Sequence, residues 1–357
     1  MSLIKETPQA VLNFRLPVNH IPAWNHLFKK DDRYLRVKLK VRYLKNAFVS
    51  EDGLVIKNGL LAKGSAPNLG FSSYDSSHYF SHWRTGLEQA LVSKLGRSLK
   101  RRKLDANKQY LLVHSPWFSY YFWITECLPR ILAVKDQHSA LHLIYPEVWH
   151  TIPYVRESLE LFPDLRREVI PNHYHIEVPQ LVMPEVKPWT PMFIPEQTQA
   201  VRALLLKWAE DTPSPFGTKI YLSRERAARK RFSNEAQAEK TLSELGFDTV
   251  FLEELPFKSQ IATLRDAREL VGITGAGTIN AMFMPQEATL YDITNQDYLH
   301  RKQYKFHFFK MCNILNIRYA VLFAQPERDP LVDHYSKQNL IFDQAAFSTM
   351  YKQVSQL

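Results

Sequence analysis

The sequence predicts an α/β protein made of two Rossmann-like halves that face a cleft. Three observations predict it. With 357 residues, the chain has the length of two domains at roughly 100–200 residues each. Short apolar runs alternate with amphipathic stretches along most of it, as βαβ units on a parallel sheet require. Between Pro179 and Pro195 lie Pro184, Pro188 and Pro191, a spacing that breaks regular structure and reads as a semi-rigid connector between two such series.

The elements follow in order. Residues 1–45 carry no clear pattern. Residues 47–65 place apolar runs around Asp52-Gly53 and Asn58-Gly59, so short antiparallel strands are expected there. Residues 81–99 read as a helix running into a basic cluster of Lys94, Arg97, Lys100, Arg101, Arg102 and Lys103, which a solvated helix end and loop explains. Strands are expected over 110–114, 141–145, 168–170 and 181–183, and helices over 118–134, despite Pro129, and 152–162. The second half alternates more clearly. Helices are expected over 196–210, 234–245 and 258–268, and strands over 219–222, 249–252, 270–273, 289–293 and 318–323. Asn234 and Gln237 have capping-box spacing, and Gly246 closes that helix. A further helix is expected around 342–356.

Composition narrows the function. A hydrophobic fraction of 45% with 23% charged residues is that of an ordered globular chain, not a disordered one. The net charge of +10 calls for an anionic partner. Nucleic acid, an acidic membrane leaflet and phosphorylated substrates all qualify, but no recognisable nucleic-acid module accompanies the charge. The two cysteines, Cys127 and Cys312, have no metal-ligand spacing, and a reducing compartment fits them. No apolar run reaches the roughly 18 residues that a membrane span needs. The first residues show no signal-peptide core. A cytoplasmic protein, peripheral at most to an anionic inner-membrane surface, is the expectation.

Two loops carry residues suited to phosphate. After strand 270–273 comes T-G-A-G-T-I-N. Gly275 and Gly277 let a ligand approach the backbone closely, and a helix opening near Thr278 would point free N–H groups at it. A tight strand-to-helix turn accounts for G-A-G equally well. After strand 219–222 comes S-R-E-R-A-A-R-K-R, in which Arg224, Arg226, Arg229, Lys230 and Arg231 crowd one loop. Guanidinium forks suit phosphate oxygens, although such clusters are often only solvated surface. Both loops leave the carboxyl edge of one predicted sheet, where open α/β sheets bind ligands.

The segment 115–130, SPWFSYYFWITECLPR, offers Glu126 as a general base in aromatic surroundings. Glu126 and Arg130 are four apart, so a structural pair on one helix face is the competing reading. His114 is the reserve base. His173 and His175 form H-x-H, which on a strand would put both rings on one face. There is no third ligand nearby and no D-x-D, so no metal and no cofactor are expected.

Taken in order, these residues resemble glycosyltransferase family 61. Its first block, N-x-x-H-W-x-x-[DE]-x-L-P-R, is met by Trp123, Glu126, Leu128, Pro129 and Arg130. Tyr221-Leu222-Ser223-Arg224, Arg229, Arg231, Asn234 and Glu235 follow the second. Gly246-Phe247, Glu254-Leu255, Phe257 and Gln260 follow a third, and Gly275-Ala276-Gly277, Asn280 and Phe283 complete the set. The departures are Ser119 where the family has Asn, and Phe122 and Thr274 where it has His.

The resemblance implies a GT-B type architecture. An acceptor-side domain would span 1–190, a nucleotide-sugar domain 191–330, and a C-terminal helix within 331–357 would cross back to the first. It implies inverting transfer from a nucleotide-sugar donor to a glycan or polysaccharide acceptor. Eukaryotic relatives include O-linked GlcNAc transferases and plant xylan-modifying enzymes. Bacterial relatives, the better match for an unanchored chain, serve capsule and other surface polysaccharides. Donor contacts are then expected from Arg224, Arg229, Lys230, Glu254, Gln260, Gly275, Ala276, Gly277, Thr278 and Asn280, and acceptor-side contacts from Trp123 and Arg130. The lost histidines favour a second class, a catalytically silent nucleotide-sugar or glycan-binding protein of the same fold.

Overall fold

A computed structural model describes residues 15–28, 39–66, 100–115, 118–187, 193–300, 306–328 and 338–356. The predicted helix over 81–99, with Lys94 and Arg97, lies outside these residues, as do Pro188 and Pro191.

The turn signals act as their chemistry dictates. Asn58 and Gly59 both take left-handed dihedrals, closing β2 (Val55–Lys57) onto β3 (Leu60–Leu61) as a tight hairpin. Gly53, also left-handed, turns β1 (Val41–Val49) into β2. A Cβ at Gly53 would stand 2.6 Å from the His114 ring, so close approach also demands glycine there.

β1 pairs antiparallel with β8 (Tyr174–Pro184), much longer than the strand the sequence suggests. The other flank of β8 carries β4 (Lys100–Lys103) and β5 (Gln109–Leu111), then β6 (Leu141–Pro146) and β7 (Arg166–Ile170), all parallel to it. The N-terminal sheet is thus mixed, a parallel group extended by an antiparallel meander, and not a pure Rossmann layer. The basic 100–103 cluster is a strand and not a loop.

Between β5 and β6 runs a helix over 120–132, α1, interrupted by a π-helical turn at Trp123–Cys127. Pro129 explains the interruption. A proline removes the N–H that would bond the carbonyl four residues back and crowds that carbonyl. Here that carbonyl belongs to Thr125. The wider turn relieves the crowding, and the freed oxygen accepts a bond from the Lys187 ammonium. A second helix, α2 (Pro153–Ser158), precedes β7.

The second sheet is wholly parallel. β9 (Lys219–Leu222), β10 (Asp248–Val250), β11 (Glu269–Ile273), β12 (Thr289–Asn295) and β13 (Arg318–Ala324) lie in the order β10-β9-β11-β12-β13. The helices are α3 (Pro195–Trp208), α4 (Glu235–Glu244), α5 (Phe257–Asp266), α6 (His307–Leu315) and α7 (Gln344–Ser355). Strand side chains alternate between two apolar layers. Leu270 and Leu290 face the layer shared with the N-terminal sheet, while Val271, Ile273 and Tyr291 face the layer under α4 and α7. The shared layer runs unbroken from Leu111 through α1, α3 and α5 to Val321. Phe257 N–H also donates to Glu157 Oε2 at 2.9 Å between the halves.

Two local expectations need correction. Asn234 does not cap α4. Its amide clips the main chain of Phe342 instead, accepting from the N–H at 2.8 Å and donating to the carbonyl at 2.9 Å. The helix around 342–356 forms, as α7, but it packs on α4 and β13 and does not cross back, because Phe347, Met350 and Val354 are buried in the C-terminal sheet's outer layer. The segment that crosses is N-terminal. Val18 N–H donates to Tyr319 O at 2.8 Å, and the Asn19 amide brackets Val321. Among the described residues no helix is long and apolar enough to cross a membrane.

Candidate donor site and the residues around it

The chain runs from β9 out to β10 and then returns past β9 to β11. Connections on either side of this point leave in opposite directions and open a crevice at the carboxyl ends of the strands. The loops there are 223–231 and 274–277, the two phosphate-suited stretches.

The sequence folds them against each other. Arg224 Nε donates to Lys230 O at 2.7 Å, so the guanidinium is tied back to its own loop. A Cβ at Gly275 would stand 3.1 Å from Arg224 Nη1. The glycine is thus needed for the arginine's approach and not for its own dihedrals, since its φ of −175° is ordinary extended backbone. Lys230 takes left-handed dihedrals (φ 58°), a conformation that costs a lysine about 1 kcal/mol or more. It thereby lays its ammonium 3.2 Å from Thr274 O, bridging the loops. Burial, then Arg224, lowers the Lys230 pKa to about 8, with Asp292 opposing and Arg229 adding to the fall.

The helix expected near Thr278 opens earlier, as a 3-10 helix over Ala276–Phe283. Thr278 Oγ1 accepts from Gly275 N–H at 3.2 Å and donates to Ile273 O at 3.1 Å. The N–H groups of Ala276 and Gly277 begin the helix, where no intrahelical acceptor exists for them. Between the loops lies a concavity of about 250 Å³, lined by Arg224, Ala227, Gly277 and Thr278 and by Leu252 and Glu253 beyond β10.

Several predicted residues have other roles. Glu254 is exposed and ion-paired with Arg226, whose guanidinium stacks on Phe251 at 4.0 Å. Its neighbour Glu253 lines the pocket instead, and the spacing E-x-L-x-F-x-x-Q ending at Gln260 indeed starts at 253. The signal was therefore present one residue earlier. Gln260 donates to Leu255 O at 3.0 Å and braces its own helix. Asn280 is fully buried. It donates to Gly277 O at 3.0 Å and accepts from the Tyr120 hydroxyl at 2.5 Å, so it holds the glycine loop and ties it to α1. Arg229 is exposed on its loop. Glu235 accepts from the Tyr221 and Ser223 hydroxyls at 2.5 and 2.6 Å and joins loop 223–231 to its strand.

On the N-terminal side, Trp123 has no accessible surface, and its indole donates to Ser158 Oγ at 2.9 Å. It is core and offers nothing to an acceptor. Arg130 is also interior, donating to the carbonyls of Leu112, Val113 and Pro184 at 3.2, 2.5 and 2.8 Å. Those bonds replace the suggested Glu126 pair. Glu126 lies 3.8 Å from Lys187 Nζ, and its Oε2 has no hydrogen-bond partner. Burial raises its pKa against the pull of Lys187 and Arg130. Glu126 does not line the donor pocket. His114 is buried, and burial followed by the Arg130 charge lowers its pKa to about 3. His173 and His175 do not form a pair. His173 sits in the left-handed turn before β8 with an exposed ring, while His175 is buried and accepts from Glu51 N–H at 3.1 Å.

A parallel α/β sheet that presents arginine, lysine and glycine loops at its switch point is of the class used by glycosyltransferases. Residues 120–291 match the family model described as Glycosyltransferase 61. The match spans α1 and both loops. No curated protein matches the chain.

Proposed function

We propose that the protein is an inverting, metal-independent glycosyltransferase with a GT-B type division of labour, acting from a nucleotide sugar on a glycan or polysaccharide in surface polysaccharide assembly. One observation carries the reading: Arg224 and Lys230 converge on the Gly275 loop at the sheet's switch point, within the family-matched segment. A diphosphate in this crevice meets two cations and the first N–H groups of a helix. These groups stabilise charge as it develops on the leaving diphosphate, the service a metal ion performs elsewhere. Glu253, at the end of the strand beside β9, is suited to ribose hydroxyls.

In this mechanism an acceptor hydroxyl attacks the anomeric carbon as the diphosphate oxygen departs, and a base takes the hydroxyl proton. We assign that role to Glu126. Burial raises its pKa and with it its basicity, whereas His114, held near 3, binds a proton too weakly. The protein would act in the cytoplasm, against an anionic membrane surface where its acceptor is anchored.

A second reading is a silent nucleotide-sugar-binding protein. Thr274 favours it, because its hydroxyl stands where the family has histidine and is spent on Asp292 at 2.6 Å. A thermal-shift screen over nucleoside diphosphates, followed by hydrolysis and transfer assays with the sugar of whichever stabilises, separates the two. Stabilisation with turnover is expected. Stabilisation without turnover leaves the silent protein, and no stabilisation by any member sinks both.

A further inference from the structure

A second concavity of about 200 Å³ opens at the carboxyl ends of β5, β6 and β7. Its apolar wall is aromatic. Phe118 and Trp149 stack at 5.3 Å with 24° between their planes, and both line it. Its rim carries Glu51, Asp52 and the exposed Asn172. Glu51 is braced by His173 N–H at 2.9 Å.

His114 also lines the cavity and is only 6% exposed. Its Nδ1 has no hydrogen-bond partner. A buried polar nitrogen left unpaired is costly, and a ligand hydroxyl, able to donate or accept, would satisfy it.

Charge decides the ligand class. The chain carries a net +10 and concentrates cations at the donor crevice. Among the described residues lining this second cavity, the charged side chains are the two carboxylates. Carboxylates accept hydrogen bonds from hydroxyls and repel anions. An aromatic wall with a few convergent polar groups suits a ring with one apolar face and a polar edge.

We infer that this cavity seats one uncharged sugar ring of the acceptor on Phe118, which Trp149 backs, with a hydroxyl hydrogen-bonded to His114 Nδ1, and that it rejects uronates and sugar phosphates. The word acceptor rests on the glycosyltransferase reading, whereas the sugar site does not. The test measures binding of methyl glycosides to the full chain without nucleotide, by saturation-transfer NMR. Neutral hexosides and N-acetylhexosaminides should bind at least about tenfold more tightly than the matching uronates and 6-phosphates. Removing both charges, with Glu51→Gln and Asp52→Asn together, should bring the uronates to within about threefold of the neutral sugars. His114→Phe should abolish neutral-sugar binding while nucleoside-diphosphate binding persists. If that buried variant does not fold, Asn172→Ala, in an exposed turn, should weaken neutral-sugar binding at least threefold. Uronates binding as well as neutral sugars, no glycoside binding at all, or binding indifferent to the His114 and Asn172 variants would each overturn the inference. Sugar binding without nucleoside-diphosphate binding would instead sink the glycosyltransferase reading and leave this site standing.

Discussion

Thr274, just beyond β11, donates its hydroxyl to Asp292 on the adjacent strand β12 at 2.6 Å. Tyr319 on β13 donates to the other carboxylate oxygen at 2.8 Å. The Thr274 carbonyl in turn receives the Lys230 ammonium. A buried carboxylate thus lies beneath the glycine loop and fixes the residue from which it springs.

That carboxylate should make stability depend on pH. Burial lifts Asp292 from its ordinary 3.8 to about 6, against the bonds from Thr274 and Tyr319 and the Lys230 charge. The folded state therefore holds this proton more tightly than the unfolded one. The contribution favours folding below about pH 4, is lost as pH rises, and is gone above about pH 6, a swing of about 3 kcal/mol. In urea melts the stability of Asp292→Asn relative to the parent should improve by roughly that amount between pH 4 and 7. A gap constant across this window would show that Asp292 titrates normally.

Arg224→Ala removes a charge-assisted bond worth about 1.5–3 kcal/mol. Nucleoside-diphosphate affinity should fall about tenfold or more by calorimetry. Gly275→Ala should do similar harm by pushing the guanidinium aside, with stability changed by less than about 1 kcal/mol because the backbone there is unstrained. Unchanged affinity in both variants would remove the diphosphate from this crevice.

Lys230 predicts the pH profile of donor binding. With its pKa lowered to about 8, the ammonium is charged at neutral pH and deprotonates in the free protein just above it. A bound anion holds the proton on. Affinity should therefore weaken by about thirtyfold between pH 7 and 9.5, and Lys230→Met should flatten the profile. A profile unaltered by the substitution would place Lys230 outside the site.

Glu126→Gln keeps the side chain's shape and removes its basicity. Turnover should drop by about two to four orders of magnitude with donor binding retained. Full activity would exclude Glu126 as the base. Loss of folding would assign it, with Lys187, to the support of α1.

Much of the C-terminal half is legible in sequence because its strands are buried on both faces and its helices end in recognisable signals. Gly246, at φ 83°, and the Phe247 N–H bond to Leu242 O at 3.0 Å complete the helix stop that the sequence announces. The N-terminal half is less so. β8 begins at Tyr174 because β1 and β4 pair along its early residues, and pairing partners far away in sequence leave no local mark. The site shows the same division. Arg224 and Gly275 announce themselves by type. The burial of Trp123 and Arg130, the clip made by Asn234 and the orphaned nitrogen of His114 depend on what packs around them. Asp292 gave no signal, since one acid in an apolar strand reads as an exception until its partners are seen.

The Asn19 amide closes on Val321 across a separation of 302 residues. β13 is the last strand of its sheet, and an uncovered edge invites pairing with another chain. The cover comes from a segment made 302 residues before the strand it protects. During translation the earlier segment must therefore wait, undocked, for the intervening residues to emerge. This edge of the C-terminal sheet is guarded only once both segments are made, so deleting the earlier one would expose a sticky strand without touching loops 223–231 and 274–277.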